Sequence, residues 1–275
     1  MAADLHLHTR ASDGSFTPRT VVEKADQLGF KYIAITDHDT ITGVKSAQDH
    51  SQDKDLEVLT GVEINTEFKG EDVHLLGYLF DPENDSITDM MELISKSRIE
   101  RAKKIISRLK DAGYPVSFAE LENYVPGEIY TRSHIAEMLS QKGLAESYEA
   151  AFERYLGRGN DFYIGRDYIT AARAIESIKE GGGVSVLAHP GKLENQDRII
   201  EGLRKFELDG LEVYYPDHSS RTNSNLLKKA DKHDMLITGG SDFHGPDKRS
   251  SNQLGTIKLA DYHVEKLKNF ALRKC

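Results

Sequence analysis

The sequence predicts an α/β fold, a mostly parallel sheet or barrel with helices outside it, interrupted by a helical insertion. Three observations lead there. Short β-branched or apolar runs alternate with amphipathic stretches; the helical stretches carry start and stop signals; and from roughly Ser86 to Arg166 the alternation gives way to helical patterns alone. The expected division is a barrel from 1–85 and 167–275, with 86–166 inserted as a lid or specificity wall.

The first strand is Asp4 to His8. In Leu5-His6-Leu7-His8 the side chains alternate faces, so both imidazoles project one way while both leucines pack the other. A helix follows with Thr17 as cap, Pro18 in the first turn, Val21, Val22, Ala25 and Leu28 as the buried stripe and Gly29 as the stop. Further strands are expected at Tyr32 to Thr36, Glu57 to Ile64, Asp72 to Phe80, Val184 to His189, Gly210 to Tyr215 and Met235 to Gly239. Helices capped at Thr170, Asn195 and Ser219 lie among the later ones. A weaker strand candidate, Gly255 to Leu259, precedes a C-terminal helix from about Ala260. Within the insertion, helical patterns cover Ile87 to Ala112, Phe118 to Tyr124, Ser133 to Lys142 and Ser147 to Leu156.

Composition narrows the chemistry. The 275 residues are 38% hydrophobic without an apolar run of bilayer length, and no basic, apolar leader precedes the first strand, so the expected compartment is the cytoplasm. The one cysteine is Cys275, which excludes an internal disulfide and leaves nitrogen and oxygen as metal donors. A net charge of −9 argues against wrapping long nucleic acid, because that mode needs clustered Lys and Arg on phosphates. It permits a small phosphorylated substrate, since divalent ions reverse the sign locally.

Candidate ligands gather at or just beyond predicted strand ends, the rim where α/β proteins collect catalytic groups: His6, His8, His38, Glu63, His74, His189, Asp242 and His244, with Asp13 in the loop after the first strand. Taken singly, Asp13-Gly14 also reads as a turn and His74 as a core histidine among Val73, Leu75 and Leu76. Glu63 follows an apolar run, where an unpaired carboxylate is costly, so a cation partner is expected. His50, His218, His233 and His263 read as solvated surface groups. So does the basic run Lys96, Arg98, Arg101, Lys103, Lys104, Arg108 and Lys110 on one helix. Arg132 and His134, beside a helix start that Ser133 can cap, are candidates for a substrate phosphate.

In these residues the chain resembles the polymerase and histidinol phosphatase (PHP) phosphoesterase family. The resemblance rests on His6-Leu7-His8, Thr36-Asp37-His38, Glu63, His74, His189-Pro190 and Ser241-Asp242-Phe243-His244, which together span nearly the whole chain. It implies a distorted TIM-like (β/α)7 barrel with two or three divalent ions (Mn, Fe or Zn) at its C-terminal face. One ion would be held by His6, His8, Glu63 and Asp242, a second by Glu63, His74 and His189, and a third by Asp13, His38 and His244. Asp13 stands where other members have histidine, which resembles the nucleotide phosphatase and 5'-3' exoribonuclease-like subgroup. That subgroup also carries an Arg-x-His-Ile-Ala segment like Arg132 to Ala136. The implied substrates are nucleoside 5'-monophosphates, 3',5'-bisphosphonucleotides and short 5'-phosphorylated RNA; a monomer is expected, a state that neither the sequence nor the resemblance fixes.

The expected mechanism is attack by a hydroxide bridging two cations, formed because coordination lowers the pKa of water from about 15.7, with Glu63, Asp242 and His189 central. The leaving group would take its proton from water rather than from Asp39 or His218. Three alternatives share parts of the pattern. Histidinol phosphatase uses the same chemistry. An amidohydrolase also opens on His-x-His but bridges its metals with a carboxylated lysine, and Glu63 stands at that strand end instead. A non-catalytic metal-binding or regulatory domain would have lost ligands, and none of the nine is missing.

Overall fold

The computed structural model describes residues 2–125, 127, 129–165, 169–246 and 252–274. Cys275 and the expected domain boundary at 166–167 lie outside the described residues. These residues form two compact units, one from both ends of the chain and one from Glu92–Asp167.

The first unit is built on one sheet. Strands β1 (Ala2–Leu7), β2 (Phe30–Ile35), β3 (Glu57–Phe68), β4 (Glu71–Tyr78), β6 (Val184–Leu187), β7 (Gly210–Tyr214) and β8 (Leu236–Gly239) stand in the order β8-β7-β6-β4-β3-β2-β1. The two-residue β5 (Ile169–Thr170) pairs with β3, and β9 (Leu259–Ala260) lies antiparallel on the outer side of β1. A parallel bridge from Leu7 to Phe243 and a 3.0 Å bond from the His8 N–H to the Phe243 carbonyl bring β1 to the segment after β8, so the barrel nearly closes.

The pairing is parallel for β1–β2, β2–β3, β6–β7 and β7–β8, as the alternation of strands and helices requires. Strand β4 departs from it, running antiparallel to both β3 and β6. Its cause is the turn at Lys69-Gly70, where both residues have positive φ, 53° and 84°, and fold β3 straight back into a hairpin. Because β4 runs the other way, its early residues lie at the rim where the parallel strands end. His74 pairs with Asn65, and its carbonyl accepts from the Ala188 N–H just before His189.

Helix α1 (Pro18–Gln27) starts at Thr17, whose hydroxyl accepts from the Thr20 N–H, and Gly29 follows with φ 73°; α2 (Thr42–Ser51) lies between β2 and β3. Val21, Val22 and Ala25 are buried with Leu7, Ile33 and Ile35. Leu28 is 50% exposed, not part of the stripe, because it is the C-cap and the helix has already ended there. Two histidines expected at the surface are also inside: His218 and His263 are buried, while His50 is exposed.

The second unit is helical: most of α3 (Asp85–Asp111), then α4 (Phe118–Glu122), α5 (Arg132–Gln141), α6 (Tyr148–Ala151) and a π-helical turn at Phe152–Leu156. Its core joins Ile105, Leu109, Ile135, Met138, Leu139 and Leu156. The basic run on α3 is only partly solvated. Lys96, Lys103, Lys104 and Lys110 are exposed, but Arg98 and Arg101 are buried. Their guanidinium groups donate to the Tyr130 carbonyl at 3.3 Å and the Ile164 carbonyl at 2.9 Å, which satisfies carbonyls that no helix or strand pairs. Among the described residues of the chain, no helix is long and apolar enough to cross a membrane.

Candidate metal centre

Strand alternation delivers the first two candidate ligands. Leu5 and Leu7 are fully buried on one face of β1, and His6 and His8 are fully buried on the other. Their Nε2 atoms meet two carboxylates: His6 lies 3.3 Å from Glu63 Oε2 and 3.4 Å from Asp242 Oδ1, and His8 lies 3.3 Å and 3.1 Å from the same atoms. Glu63, at the end of the parallel part of β3, is surrounded. Its Oε2 is also 3.0 Å from His38 Nδ1, while Oε1 is 2.9 Å from His74 Nδ1 and 3.1 Å from His189 Nε2. On the far side of His8, Asp13 Oδ1 lies 3.3 Å from His244 Nε2, and the His8 and His244 rings stack with centroids 3.9 Å apart.

Supporting groups fix these positions. Asp37 takes no part in the cluster. Its carboxylate accepts from the Thr9 N–H, Thr9 hydroxyl and Ser12 hydroxyl at 2.6–2.7 Å and so staples the loop that carries Asp13. Asp242 stands at φ 52°, with Oδ2 accepting from the Tyr215 hydroxyl at 2.9 Å, which leaves Oδ1 for the histidines. Of the two side chains weighed as proton donors, Asp39 is bound to the Asn65 N–H and side-chain amide at 2.8 and 3.0 Å. His218 donates from Nδ1 to the Val213 carbonyl and accepts the Gly191 N–H on Nε2, so that nitrogen carries no proton.

Burial and charge oppose each other throughout. Burial alone would raise the Glu63 carboxyl, yet the imidazoles of His38, His6 and His74 hold it well below the carboxylate range; His6 and His244 do the same for Asp242, and His244 and His38 for Asp13. Burial disfavours charge on His8 too, but its contacts to Asp242 and Glu63 hold it up to about 10; Glu212, Glu63 and Asp242 likewise raise His6. At His38 and His189 burial prevails and lowers both. In the cation-free protein, imidazolium therefore stands in for positive charge that the carboxylates demand.

The residues present fit cations. Donor atoms come within 4.8 Å of one another in three sets: His6, His8, Glu63 and Asp242; His8, Asp13, His38 and His244; and His38, Glu63 and His74. His189 belongs to none of these sets; its Nε2 meets the cluster at Glu63 Oε1, 3.1 Å away, and its ring packs against those of His6 and His74. In the first set the N···O separations of 3.1–3.4 Å match the roughly 3.0–3.4 Å between ligands that each sit about 2.1 Å from one ion. His6 Nε2, both His8 nitrogens and Glu63 Oε2 are buried without a hydrogen bond among the described residues, a costly state that a shared cation relieves.

The expected substrate contacts have structural partners. Thr131, not Ser133, caps α5, and the buried His134 completes a capping box by accepting the Thr131 N–H on Nδ1. Arg132 donates to the Leu156 carbonyl at 3.0 Å and lies over the Phe152 and Tyr163 rings. Glu212 was absent from the sequence-derived candidates. A lone carboxylate in the strand Gly-Leu-Glu-Val-Tyr is the same signal that marks Glu63, and it is fully buried beside His6.

Comparison with known proteins bears on this cluster. A family model described as the PHP domain matches residues 4–165. The chain is 32% identical over 247 residues to a 5'-3' exoribonuclease of Haemophilus influenzae, covering 88% of this chain and 90% of that protein. It is 30% identical over 248 residues to a 3',5'-nucleoside bisphosphate phosphatase of Chromobacterium violaceum, covering 88% and 87%. A crystal structure from Bifidobacterium adolescentis, assigned provisionally as a metal-dependent phosphoesterase, superposes with a TM-score of 0.87 at 34% identity over 96% of this chain and 94% of that one.

Proposed function

The chain belongs to the PHP domain family of metal-dependent phosphoesterases, and on that premise we propose that it hydrolyses phosphate esters of nucleotides: a nucleoside 5'-monophosphate, a 3',5'-bisphosphonucleotide or short 5'-phosphorylated RNA. The observation that carries this reading is the convergence of nine side chains, scattered from His6 to His244 and including Glu63, into one cluster of adjoining donor sets. The names of the Haemophilus and Chromobacterium relatives support nucleotide substrates over histidinol phosphate.

His6, His8, Glu63 and Asp242 would hold one divalent cation, and Glu63, His74 and His189 a second with His38 in reach. Asp13, His38 and His244, beside His8, would hold a third. Nitrogen-rich sets with carboxylate bridges suit Mn, Fe or Zn. Cations bound there supply Lewis acidity, acidify water and neutralise phosphoryl oxygens. The chain's own contribution is placement. Glu63 and Asp242 concentrate negative charge where cations must sit, the buried imidazoles exclude bulk water, and the Tyr215 hydroxyl fixes which Asp242 oxygen faces the cluster. Asp39 and His218, both engaged elsewhere, leave the departing alcohol to be protonated by water.

Arg132 and His134 are assigned to substrate phosphate. Support comes from the Arg132 guanidinium, which spends one nitrogen on the Leu156 carbonyl and makes no other hydrogen bond among the described residues. The test is a phosphate-release screen with AMP, 3',5'-bisphosphoadenosine, histidinol phosphate and 5'-phosphorylated dinucleotides, with Mn²⁺ or with chelator. Turnover of a nucleotide that needs Mn²⁺ is expected; turnover of histidinol phosphate alone, or turnover in chelator, overturns the reading.

A further inference from the structure

Glu212, on β7, is fully buried and uses both carboxylate oxygens on candidate ligands. Oε1 lies 2.9 Å from His6 Nδ1, and Oε2 accepts from the His189 N–H at 2.7 Å. The two ligands it supports flank the two sides of Glu63: His6 Nε2 faces Oε2 at 3.3 Å, and His189 Nε2 faces Oε1 at 3.1 Å. Each contact answers a separate need. His6 can ligate through Nε2 only if its neutral ring keeps the proton on Nδ1, and a carboxylate behind Nδ1 favours that tautomer and the ligand's basicity. His189 stands in the left-handed region at φ 30°, ψ 54°, immediately before Pro190, a conformation a non-glycine residue adopts rarely. A buried acceptor on its N–H stabilises that turn and so aims the ring at Glu63.

We propose that Glu212 is a positioning residue for both cation sites, setting the His6 tautomer with one oxygen and the His189 backbone with the other; this rests on the metal-dependent reading above. Glutamine tests it because it keeps shape and loses one acceptor. If the amide oxygen accepts from the His189 N–H, the amide nitrogen faces His6 Nδ1, which must then accept. The ring proton moves to Nε2, the atom that faces Glu63 and Asp242. If the amide is flipped, the His6 contact survives and donor faces donor at His189. Neither orientation preserves both contacts.

The experiment is a Mn²⁺ titration of cation-free wild type, Glu212→Gln and Glu212→Asp, followed through the electron paramagnetic resonance of free Mn²⁺, with unfolding midpoints of the cation-free proteins alongside. Glu212→Gln is expected to weaken Mn²⁺ binding about 10–100-fold, the usual cost of losing such a partner. Glu212→Asp, which keeps two acceptors, should recover part of it. A merely structural role would lower the midpoint and leave the affinity of the folded protein unchanged. Wild-type affinity in Glu212→Gln overturns the inference alone, whereas wild type that binds no Mn²⁺ overturns the metal-dependent reading and this inference with it. Should Glu212→Gln not fold, ¹⁵N-histidine spectra of Zn²⁺-loaded wild type decide. A His6 Nδ1–H far downfield and protected from exchange is expected; a proton on Nε2, or rapid exchange at Nδ1, overturns the proposal.

Discussion

Replacing Gly240 by alanine tests how closely β1 and the segment after β8 must approach to assemble the cluster. A Cβ at Gly240 would lie 2.3 Å from His6 Cβ, 2.4 Å from His6 N and 2.8 Å from His6 Cα. Ordinary contacts begin near 3.4 Å, so about 1 Å of separation has to open. No flexible side-chain tip can yield, because the clashing atoms belong to the backbone and Cβ of β1. That strand is held to the same segment by the Ser241 N–H on Asp4 Oδ1 at 2.8 Å and the His8 N–H on the Phe243 carbonyl at 3.0 Å. Overpacking of this kind costs about 1–3 kcal/mol, a fall of several degrees in Tm for a chain of this size. The functional effect should be larger. The strain separates His6 from Asp242, and a 1 Å misplacement at a reacting centre costs on the order of 100-fold in rate. Calorimetry, Mn²⁺ titration and phosphate release read the three effects. Gly165→Ala is the control, since its Cβ meets nothing within 4 Å. Wild-type Tm, affinity and turnover in Gly240→Ala would refute the claim that this approach is needed.

Asp242→Ala removes a proposed ligand carboxylate and should lower Mn²⁺-dependent turnover by at least about 1000-fold, several kcal/mol of lost cation chemistry, with near-native circular dichroism; turnover within 10-fold of wild type would count against it. Mn²⁺ affinity should climb between pH 6 and pH 8. In the cation-free protein His8 is held up to about 10, above the ordinary imidazole value, so its proton stays on throughout that range and must leave before ligation. Titration calorimetry in buffers of different ionisation enthalpy reads the released protons, and pH-independent affinity would contradict the assignment. Arg132→Ala should raise KM for the nucleotide about 10–100-fold, the worth of a charge-assisted hydrogen bond of about 1.5–3 kcal/mol. A lowered Tm with unchanged KM would instead give Arg132 only its anchoring of the Leu156 carbonyl.

Much of the barrel was legible because strand alternation and helix caps are local. Leu5-His6-Leu7-His8 declares its faces within four residues, and Thr17-Pro18 declares a helix start. The direction of β4 was not legible from its own run, since apolar alternation reads the same in either sense. The signal lay in Lys69-Gly70, a two-residue turn between the strand patterns. His74 accordingly reached the rim from near the start of its strand rather than from the end. Asp37, inside a ligand-like triplet, proved to staple a loop, because nothing in Thr-Asp-His says which of two adjacent polar side chains faces a cation. Arg98, Arg101, His218 and His263 are buried through tertiary contacts with distant backbone or rings, which no periodicity encodes. Glu212 was readable by the logic applied to Glu63, a charged residue in an apolar strand, but its two partners are 206 and 23 residues away.

The most direct measurement is anomalous diffraction at the manganese edge from a crystal grown with Mn²⁺. We expect a peak enclosed by His6, His8, Glu63 and Asp242 and a neighbour on the His74 and His189 side of Glu63. Featureless density there, with these side chains turned away from one another, would contradict the assignment of a cation-dependent phosphoesterase centre.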